Sequence, residues 1–441
     1  MGQFINLAFK NVFRQKKRSF TLGINYAVVA FILVLLLSFS KGAAQNISTS
    51  LIRSSAGHIT ITGQFAKSGK IYGGLQRTDE ILADVKKTFG DDTDIVVRYA
   101  LSSTVYYNGL SRRLSFSGIN TDTDLGFKSQ ANFSSGSWEA FASDPNGIAL
   151  PADSAEYFGL KLDDQVVISN RTRFGAFNTG ILVVRGIYTT DNYFARGKVL
   201  SHFDLLRQLD LAEEGSATSL YVYLPSTKNL SAERGKLSDT LALSGFEVSI
   251  PQTDTEAISA ISSASTKYEE DKEGRDRVMV KLATLDEVLG LVRTILAAVN
   301  AVGAFISSVM LFVIAVSIFI NLRMSINERL REIGTMRAMG VESGGVTSLF
   351  VFESLSLAVL FSSIGALLAA LTAILIRIGP SFPPGGNLGI FLDDGKLVLI
   401  PDLVGTLGVV LAISVFAACF SFFPARKGGL IPPVEALTKT F

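Results

Sequence analysis

Few residues of this chain have the types and spacing that chemistry requires. The stretch from Gly63 to Ile71 is similar to a phosphate-binding loop, in which backbone N–H groups cradle phosphates and a Ser or Thr hydroxyl holds magnesium. Its two glycines stand one residue too far apart, and Ile71 replaces the hydroxyl residue. We therefore expect no nucleotide site in this stretch.

Nucleophilic and metal-ligating residues are also sparse. The chain has two histidines, His58 and His202, and one cysteine, Cys419. A single cysteine excludes an intramolecular disulfide and a cysteine-rich metal site. We find no set of nucleophile, base and acid, so we expect no catalytic residue and no metal site. A membrane-anchored external enzyme or sensor is accordingly the weakest of the function classes considered.

The composition indicates a membrane protein. Of the 441 residues, 48% are hydrophobic and 18% are charged, and the net charge is +2. So many apolar residues exclude a disordered chain, and so little charge argues against an ordinary soluble domain. The nearly neutral balance gives no electrostatic basis for binding nucleic acid.

Four runs without charged residues are long enough to cross about 30 Å of hydrocarbon as helices. They are Ser19–Ser40, Thr294–Leu322, Ser354–Ile376 and Leu403–Ala425. Lys and Arg concentrate before the first run, between the second and third, and after the fourth. This bias predicts cytoplasmic N- and C-termini. The first run could instead be a cleaved signal peptide, but it exceeds the usual apolar length.

The segment from Lys41 to Arg293 is predicted to be a large external α+β domain. Its alternating patterns predict strands, and the stretches around 166–168 and 181–184 predict a hairpin with Phe174 and Phe177 near its tip. The remaining predicted strands are 58–62, 95–99, 104–107, 113–116 and 220–224, and the predicted helices are 79–89, 230–243, 255–267 and 271–293. The last of these helices would run directly into the second span.

The sequence RLREIGTMRAMG, Arg329 to Gly340, resembles the R-x-R-E-I-G-x-x-x-A-x-G signature of the FtsX-like, MacB and LolC/LolE class (type VII) of ABC transporter permeases. The C-terminal Pro424–Ala425–Arg426 with Pro433–Leu437 resembles the ending of the same family. The stretch Gly147–Val166 is similar to the MacB-type periplasmic core. The chain is most similar to the stand-alone, lipoprotein-releasing permeases.

The resemblance implies a membrane protein with four transmembrane helices and a large periplasmic α+β domain between the first two. The implied division is an amphipathic cytoplasmic helix at 1–18, a first transmembrane helix at 19–43, a periplasmic domain at 44–285 with an inserted lobe at about 111–214, a stalk and second helix at 286–322, a cytoplasmic coupling loop at 323–345, a third helix at 346–376, a short periplasmic loop at 377–400, a fourth helix at 401–424 and a cytoplasmic tail at 425–441.

An apolar stripe on the 323–345 loop recurs at helical spacing and includes Ile326, Leu330, Ile333 and Met336. The spacing alone allows two interpretations, a helix that docks in a groove of an ATPase subunit and a helix on lipid headgroups. The resemblance favours coupling to an ATPase. The residues it assigns to coupling are Ile326, Glu328, Arg329, Leu330, Arg331, Glu332, Ile333, Gly334, Arg337 and Gly340.

Polar residues inside the spans are the second group of candidate site residues. Glu353 lies in the third span, where it could snorkel or pair with Arg323 or Arg337. Asn25 and Asn300 could form hydrogen bonds between helices. A third group, Arg171, Arg173, Phe174 and Phe177 on the external hairpin, occupies the place where LolC-type permeases carry a chaperone-binding hook, and an ordinary solvent loop is the alternative.

The resemblance implies a permease subunit in the bacterial inner membrane that works with two ATPase subunits and a second permease chain. ATP and magnesium would bind to the ATPase, and this chain would hold no cofactor. The expected activity is the extraction or release of lipoproteins or lipids on the periplasmic side, with a periplasmic chaperone or adaptor as a further partner. The alternatives are MacB-like export of drugs, peptides or toxins, and FtsX-like regulation of a cell-wall hydrolase.

Overall fold

The computed structural model describes residues 16–54, 56–226, 228–253, 256, 269–271, 274–379, 389, 391–393 and 395–432. These residues form two compact units. We call the described residues of Met1–Ala44, Ile295–Ser381 and Lys396–Phe441 the membrane unit, and those of Gln45–Thr294 and Phe382–Gly395 the sheet unit. The predicted helices at 1–18 and 255–267 and the motif at 433–437 lie almost entirely outside the described residues.

The described helices and strands follow in chain order. The helices are α1 (Lys16–Ser54), α2 (Thr78–Phe89), α3 (Leu125–Lys128), α4 (Trp138–Ser143), α5 (Ala152–Phe158), α6 (Phe203–Leu209), α7 (Leu230–Leu243), α8 (Leu285–Val288), α9 (Gly290–Glu328), α10 (Leu330–Ala338), α11 (Ser343–Ile378) and α12 (Leu403–Gly429). The strands are β1 (Ile59–Lys67), β2 (Lys70–Gly73), β3 (Asp94–Tyr107), β4 (Leu110–Ile119), β5 (Asn132–Gly136), β6 (Gly147–Pro151), β7 (Gln165–Arg171), β8 (Phe177–Thr189), β9 (Lys198–His202), β10 (Ser219–Tyr223), β11 (Glu247–Ser249), β12 (Glu269–Glu270), β13 (Arg277–Thr284), β14 (Leu392–Asp393) and β15 (Lys396–Leu397).

Four helices among the described residues are long and apolar enough to cross a membrane. Their apolar stretches are Phe20–Ile52 in α1, Leu296–Glu328 in α9, Ser343–Ile378 in α11 and Leu403–Gly429 in α12. All four predicted spans are therefore confirmed as helices of sufficient length. Together with the strand-rich segment between α1 and α9, they confirm the predicted fold class.

The membrane unit is held together by close packing of its long helices. Tyr26, Ile318, Phe350 and Ile413, one from each long helix, are almost fully buried in a single apolar cluster. Gly365 allows α1 and α11 to approach closely, because a Cβ atom at this position would lie 2.1 Å from the carbonyl oxygen of Ala27.

The sheet unit is built on one long, mixed sheet. Its strands follow the order β11-β13-β1-β10-β3-β4-β9-β6-β8-β5, with β2 paired to β1 and β7 paired to both β3 and β8. The long strand β3 changes partner along its length: residues 94–98 pair with β10, and residues 99–107 pair with β4. This change lies upstream of residue 111, where the sequence placed the start of an inserted lobe.

Two large apolar clusters correspond to two lobes of the sheet unit. The first surrounds β1, β10 and β13 with α2 and α7, and the second surrounds β3, β4 and β6–β9 with α5 and α6. Strands β7 and β8 bury side chains at alternate positions. The central strands β1, β6 and β10 instead bury nearly every residue, because both of their faces are covered. The predicted helices at 79–89 and 230–243 are confirmed as α2 and α7.

The prediction of a charged helix over 271–293 is wrong. Residues 277–284 form strand β13, which pairs with β1 along its whole length, and helix α9 begins only at Gly290. Val278, Val280 and Leu282 are buried at alternate positions. This period of two is typical of a strand and outweighs the charged residues that suggested a helix.

Candidate functional site

The coupling motif forms a short helix between two membrane-length helices. Helix α9 ends at Glu328, Arg329 interrupts the helical geometry with φ −105° and ψ 19°, and α10 follows. Gly340 ends the turn with φ +94°, and its N–H donates to the carbonyl oxygen of Arg337 at 3.1 Å. Glycine is favoured there because other residues rarely adopt a left-handed backbone. The last glycine of the motif is thus a helix terminator.

The apolar stripe of this segment faces the core of its own unit. Ile326, Leu330 and Ile333 are 5%, 7% and 0% exposed, and Met336 is partly buried against the same cluster. Gly334 is buried as well. The interpretation of the stripe as a docking face is therefore wrong, because its side chains are already covered. Helical spacing marks a face that packs, but it does not say against what.

The opposite face of the motif is polar and exposed. It presents Glu328, Arg331, Glu332 and, at the end of α10, Met339. Arg337 is partly buried and donates through Nη1 to the carbonyl oxygen of Val341 at 3.3 Å. Of the charged residues predicted to contact an ATPase, Arg331 and Glu332 are exposed within α10.

Arg329 points inward, away from this exposed face. Its Nη1 donates to Oε2 of Glu353 on α11 at 3.2 Å, and the two side chains are 9% and 10% exposed. The sequence left snorkelling and pairing with Arg323 or Arg337 open for Glu353, and the structure shows a pairing with Arg329. Arg329 was predicted to face an ATPase subunit, so the structure gives it a different contact.

The predicted polar contacts between membrane helices are present. Asn25 on α1 donates through Nδ2 to Oγ of Ser317 on α9 at 3.0 Å. Asn300 on α9 accepts a hydrogen bond from Ser40 on α1 through Oδ1 at 2.7 Å. Both contacts join the same two helices, so they fix the alignment of α1 with α9.

The hairpin of β7 and β8 is longer than predicted, and its residues divide into two groups. Phe177 is 80% exposed and Arg171 is exposed, so both can meet a partner. Arg173 is buried, and its Nε donates to Oδ2 of Asp210 at 2.8 Å. Phe174 packs edge-on against Tyr72, with ring centroids 5.1 Å apart. Arg173 therefore holds the hairpin tip to the fold, whereas Phe174 remains 40% exposed beside Tyr72.

A buried charged cluster that the sequence did not reveal lies near the centre of the sheet unit. Arg98 donates to both carboxylate oxygens of Asp124, at 2.6 and 2.9 Å, and also to the carbonyl oxygen of Ser54. Its guanidinium carbon lies 4.4 Å from the ring centroid of Phe127 and 5.0 Å from that of Tyr221. These partners are distant in sequence, so no local pattern signals the cluster.

Lys198 is a second cation at this cluster. Its Nζ lies 5.8 Å from the ring centroid of Phe127. Burial and the charge of Arg98 lower the pKa of Lys198 to about 8. Elsewhere in the sheet unit, burial lowers the pKa of His58, whose Nδ1 accepts a hydrogen bond from the N–H of Leu224 at 2.8 Å. That bond makes His58 part of the fold.

A cleft of about 520 Å³ opens between α2 and α6, where the two lobes of the sheet unit meet. Its polar lining includes Asp79, Arg207 and Glu214, and its apolar lining includes Leu82 and Phe203. A volume of this order accommodates a small ligand. The cleft combines residues from separate stretches of the chain, which is why sequence reasoning missed it.

The described residues offer no group of three His, Cys, Asp or Glu side chains that could hold a metal ion. The stretch from Gly63 to Ile71 forms the turn of the β1–β2 hairpin, with φ of 53° at Ser68 and 73° at Gly69. A phosphate-binding loop leads from a strand into a helix, whose N-terminus meets the phosphates. This stretch instead leads from one strand into another.

Residues 304–430 match the family described as FtsX-like permease C-terminal. The chain is also similar to the macrolide export ATP-binding/permease protein MacB of Chromobacterium violaceum, at 26% identity over 35% of this chain and 22% of the relative. The protein of the same name from Bordetella avium is 24% identical over 51% of this chain and 31% of the relative. The chain thus spans less than a third of the length of these relatives.

Two solved structures show distant similarity. The periplasmic region of MacB from Actinobacillus actinomycetemcomitans is 10% identical, with a TM-score of 0.32, over 55% of this chain and 95% of that one. The extracellular domain of the transporter YknZ from Gram-positive bacteria is 15% identical, with a TM-score of 0.28, over 42% of this chain and 94% of that one. These similarities are too distant to inform function.

Proposed function

We propose that this chain is an ABC transporter permease of the FtsX and MacB type and that it receives ATP-driven movements from a separate ATPase subunit through α10. The observation that carries the proposal is the division of α10 into two faces. Its apolar face is buried in the membrane unit, and its exposed face carries Arg331 and Glu332. A helix that is anchored on one face and exposed on the other can transmit force from a partner to the helices that hold it.

The electrostatics of this face suit a partner surface that carries both signs of charge. Arg331 and Glu332 are adjacent and opposite in charge, so a correctly oriented partner gains from both, whereas a misaligned one meets like charges. Such complementarity fixes orientation, which a lever-like contact requires. In this proposal the ATPase lies on the cytoplasmic side of an inner membrane, a second permease chain completes the pair, and both chain termini are cytoplasmic.

We expect charge reversal of this face to weaken ATPase binding. Arg331→Glu and Glu332→Arg should each reduce the amount of ATPase that co-purifies by about tenfold, which corresponds to about 1.4 kcal/mol. The measurement is affinity purification of the full-length chain in mild detergent, with quantification of the bound ATPase and its hydrolysis rate.

The matched control is Arg377→Glu, which reverses an exposed charge in the last turn of α11. It should leave ATPase binding unchanged, because it lies outside the proposed contact. The double variant that exchanges Arg331 and Glu332 also tests orientation, since it keeps both charges and changes only their order. Unchanged co-purification in both single variants would contradict the proposed contact.

For the substrate we propose lipoproteins or other lipidic molecules taken from the side of the sheet unit. The membrane helices support this, because their described interior contains almost no charge that could line a polar channel. MacB-like export is a second candidate, since similar proteins are named macrolide export proteins. Mass spectrometry of the same purification distinguishes the two. An acylated protein or a bound lipid would support the first, and a periplasmic adaptor with no acylated cargo would support the second.

A further inference from the structure

The ion pair of Arg329 and Glu353 joins the coupling segment to the neighbouring membrane helix. Arg329 occupies the junction between α9 and α10, and Glu353 lies within α11. Their side chains meet at 3.2 Å and are both buried. Glu353 lies in a stretch, Ser343–Ile376, that contains no other charged residue. A charged side chain in such a stretch is energetically costly, so its presence indicates a pairing or functional role.

Stability alone does not explain this pair. Removing two charges from water costs about as much as their mutual attraction returns, and well-packed apolar residues of similar volume often serve the fold as well or better. Ile326, Ile333 and Phe350, which lie within four residues of Arg329 or Glu353 in the sequence, belong to the apolar cluster of this unit. An apolar pair would therefore satisfy the packing requirement here. The ion pair adds a fixed alignment between the α9–α10 junction and α11, because a hydrogen bond requires a particular distance and angle.

Direction matters at this position because apolar packing between helices tolerates sliding. The inward side chains Leu330 and Ile333 are buried, and apolar contacts are less directional than an ion pair. Arg329 allows one alignment, in which its guanidinium meets Glu353. Arg331 follows two residues later, within α10, and is exposed. The motif thus places one of these two arginines in the interior and the other on the surface.

We propose that Arg329 and Glu353 are positioning residues that transmit displacement of α10 to α11. The inference rests on the proposed function, in which an ATPase moves α10. When the exposed face of α10 is pushed, the ion pair makes α11 follow. Without the pair, α10 still moves with its ATPase, but α11 follows less closely.

The test is hydrogen exchange of the full transporter complex in lipid nanodiscs, with and without vanadate-trapped nucleotide. In the wild type we expect nucleotide to change exchange in both α10 and α11. In Glu353→Gln and Arg329→Gln, the change in α10 should persist, while that in α11 should fall about twofold or more. ATP hydrolysis should continue, so the ratio of transport to hydrolysis should also fall. The charge-exchanged double variant, Arg329→Glu with Glu353→Arg, should restore the response of α11.

Two control variants separate positioning from general loss of structure. Ser362→Ala removes a buried hydroxyl of α11 that bonds within its own helix, and Arg323→Gln removes an exposed charge of α9. Both should respond to nucleotide as the wild type does. Co-purification of the ATPase with every variant shows that the fold is intact.

Each outcome decides a separate question. A normal response of α11 in Glu353→Gln would overturn the inference and leave the proposed function standing. A double variant that folds and binds the ATPase but responds as weakly as the single variants would also overturn it. A wild-type complex with no bound ATPase and no response to nucleotide would overturn the proposed function and the inference together.

Discussion

The two units bury ionic groups with different geometries. In the sheet unit, Arg98 holds both oxygens of Asp124 at 2.6 and 2.9 Å and lies between two aromatic rings. In the membrane unit, Arg329 and Glu353 meet at 3.2 Å across two separate helices. Bidentate bonds to a carboxylate fix both distance and plane. A single contact of 3.2 Å fixes the alignment of its two elements but does not fix the plane of both groups.

This difference indicates that the buried arginine–carboxylate pairs have different roles in the two units. The Arg98 cluster connects the end of α1, at Ser54, with β3 and the loop before α3, all inside the sheet unit. It can therefore act as a rigid junction. The Arg329–Glu353 pair lies beside the exposed charges that we propose to contact an ATPase, where movement is required. If the first pair is structural, breaking it should lower the free energy of unfolding by more than breaking a polar contact in the membrane unit.

The largest effect is expected from Arg98→Met, which leaves the carboxylate of Asp124 buried without its partner. Breaking a buried pair in this way typically costs about 3–5 kcal/mol in the free energy of unfolding. Denaturant unfolding can be followed by fluorescence, because Trp138, the single tryptophan, packs in the same region of the sheet unit as Phe127.

The companion variants for this prediction are Arg112→Met and the double variant Arg98→Met with Asp124→Leu. Arg112 is exposed on β4, so its replacement should change stability by less than about 0.5 kcal/mol. The double variant should recover part of the loss, because no charge is left unpaired. If Arg98→Met unfolded with the same midpoint as the wild type, the cluster would not be the rigid junction described above.

The sequence predicts elements well where one periodicity dominates. The four charge-free runs give the membrane-length helices, and the patterns at 79–89 and 230–243 give α2 and α7. It predicts contacts poorly where partners are far apart. Arg98 and Asp124 are 26 residues apart and belong to different elements, so no local spacing connects them. The motif at 329–340 resembles a family signature, but only the structure shows that Arg329 is buried and Arg331 exposed.

An intermediate effect is expected from pH, through Lys198. Its folded pKa is about 8, below the ordinary value of 10.5, because burial and Arg98 disfavour its charge. Between pH 8 and 10 the unfolded chain therefore binds more protons than the folded one. The free energy of unfolding should rise with pH in this window, by at most about 1.4 kcal/mol per pH unit.

Lys198→Met should lack this rise, so the stability of the wild type relative to this variant should increase from pH 8 to 10. Lys128→Met provides the comparison, because Lys128 is largely exposed and pairs with Glu139 at 3.8 Å. The measurement is the same Trp138 fluorescence unfolding at each pH. Parallel pH profiles for the wild type and Lys198→Met would show that folding does not lower the pKa of Lys198.

The smallest effect is expected in the membrane unit, where Asn25 and Ser317 share a neutral hydrogen bond of 3.0 Å. Hydrogen bonds between membrane helices contribute only about 0.6 kcal/mol on average, because the separated helices also find polar partners. Unfolding of Asn25→Ala, Ser317→Ala and the double variant, followed by far-ultraviolet circular dichroism, gives the coupling energy. Ser308→Ala, whose hydroxyl bonds within α9, is the control. A coupling energy near that of a buried ion pair would remove the contrast between the units, since neutral contacts would then hold the membrane helices as firmly as the Arg98 cluster holds the sheet unit.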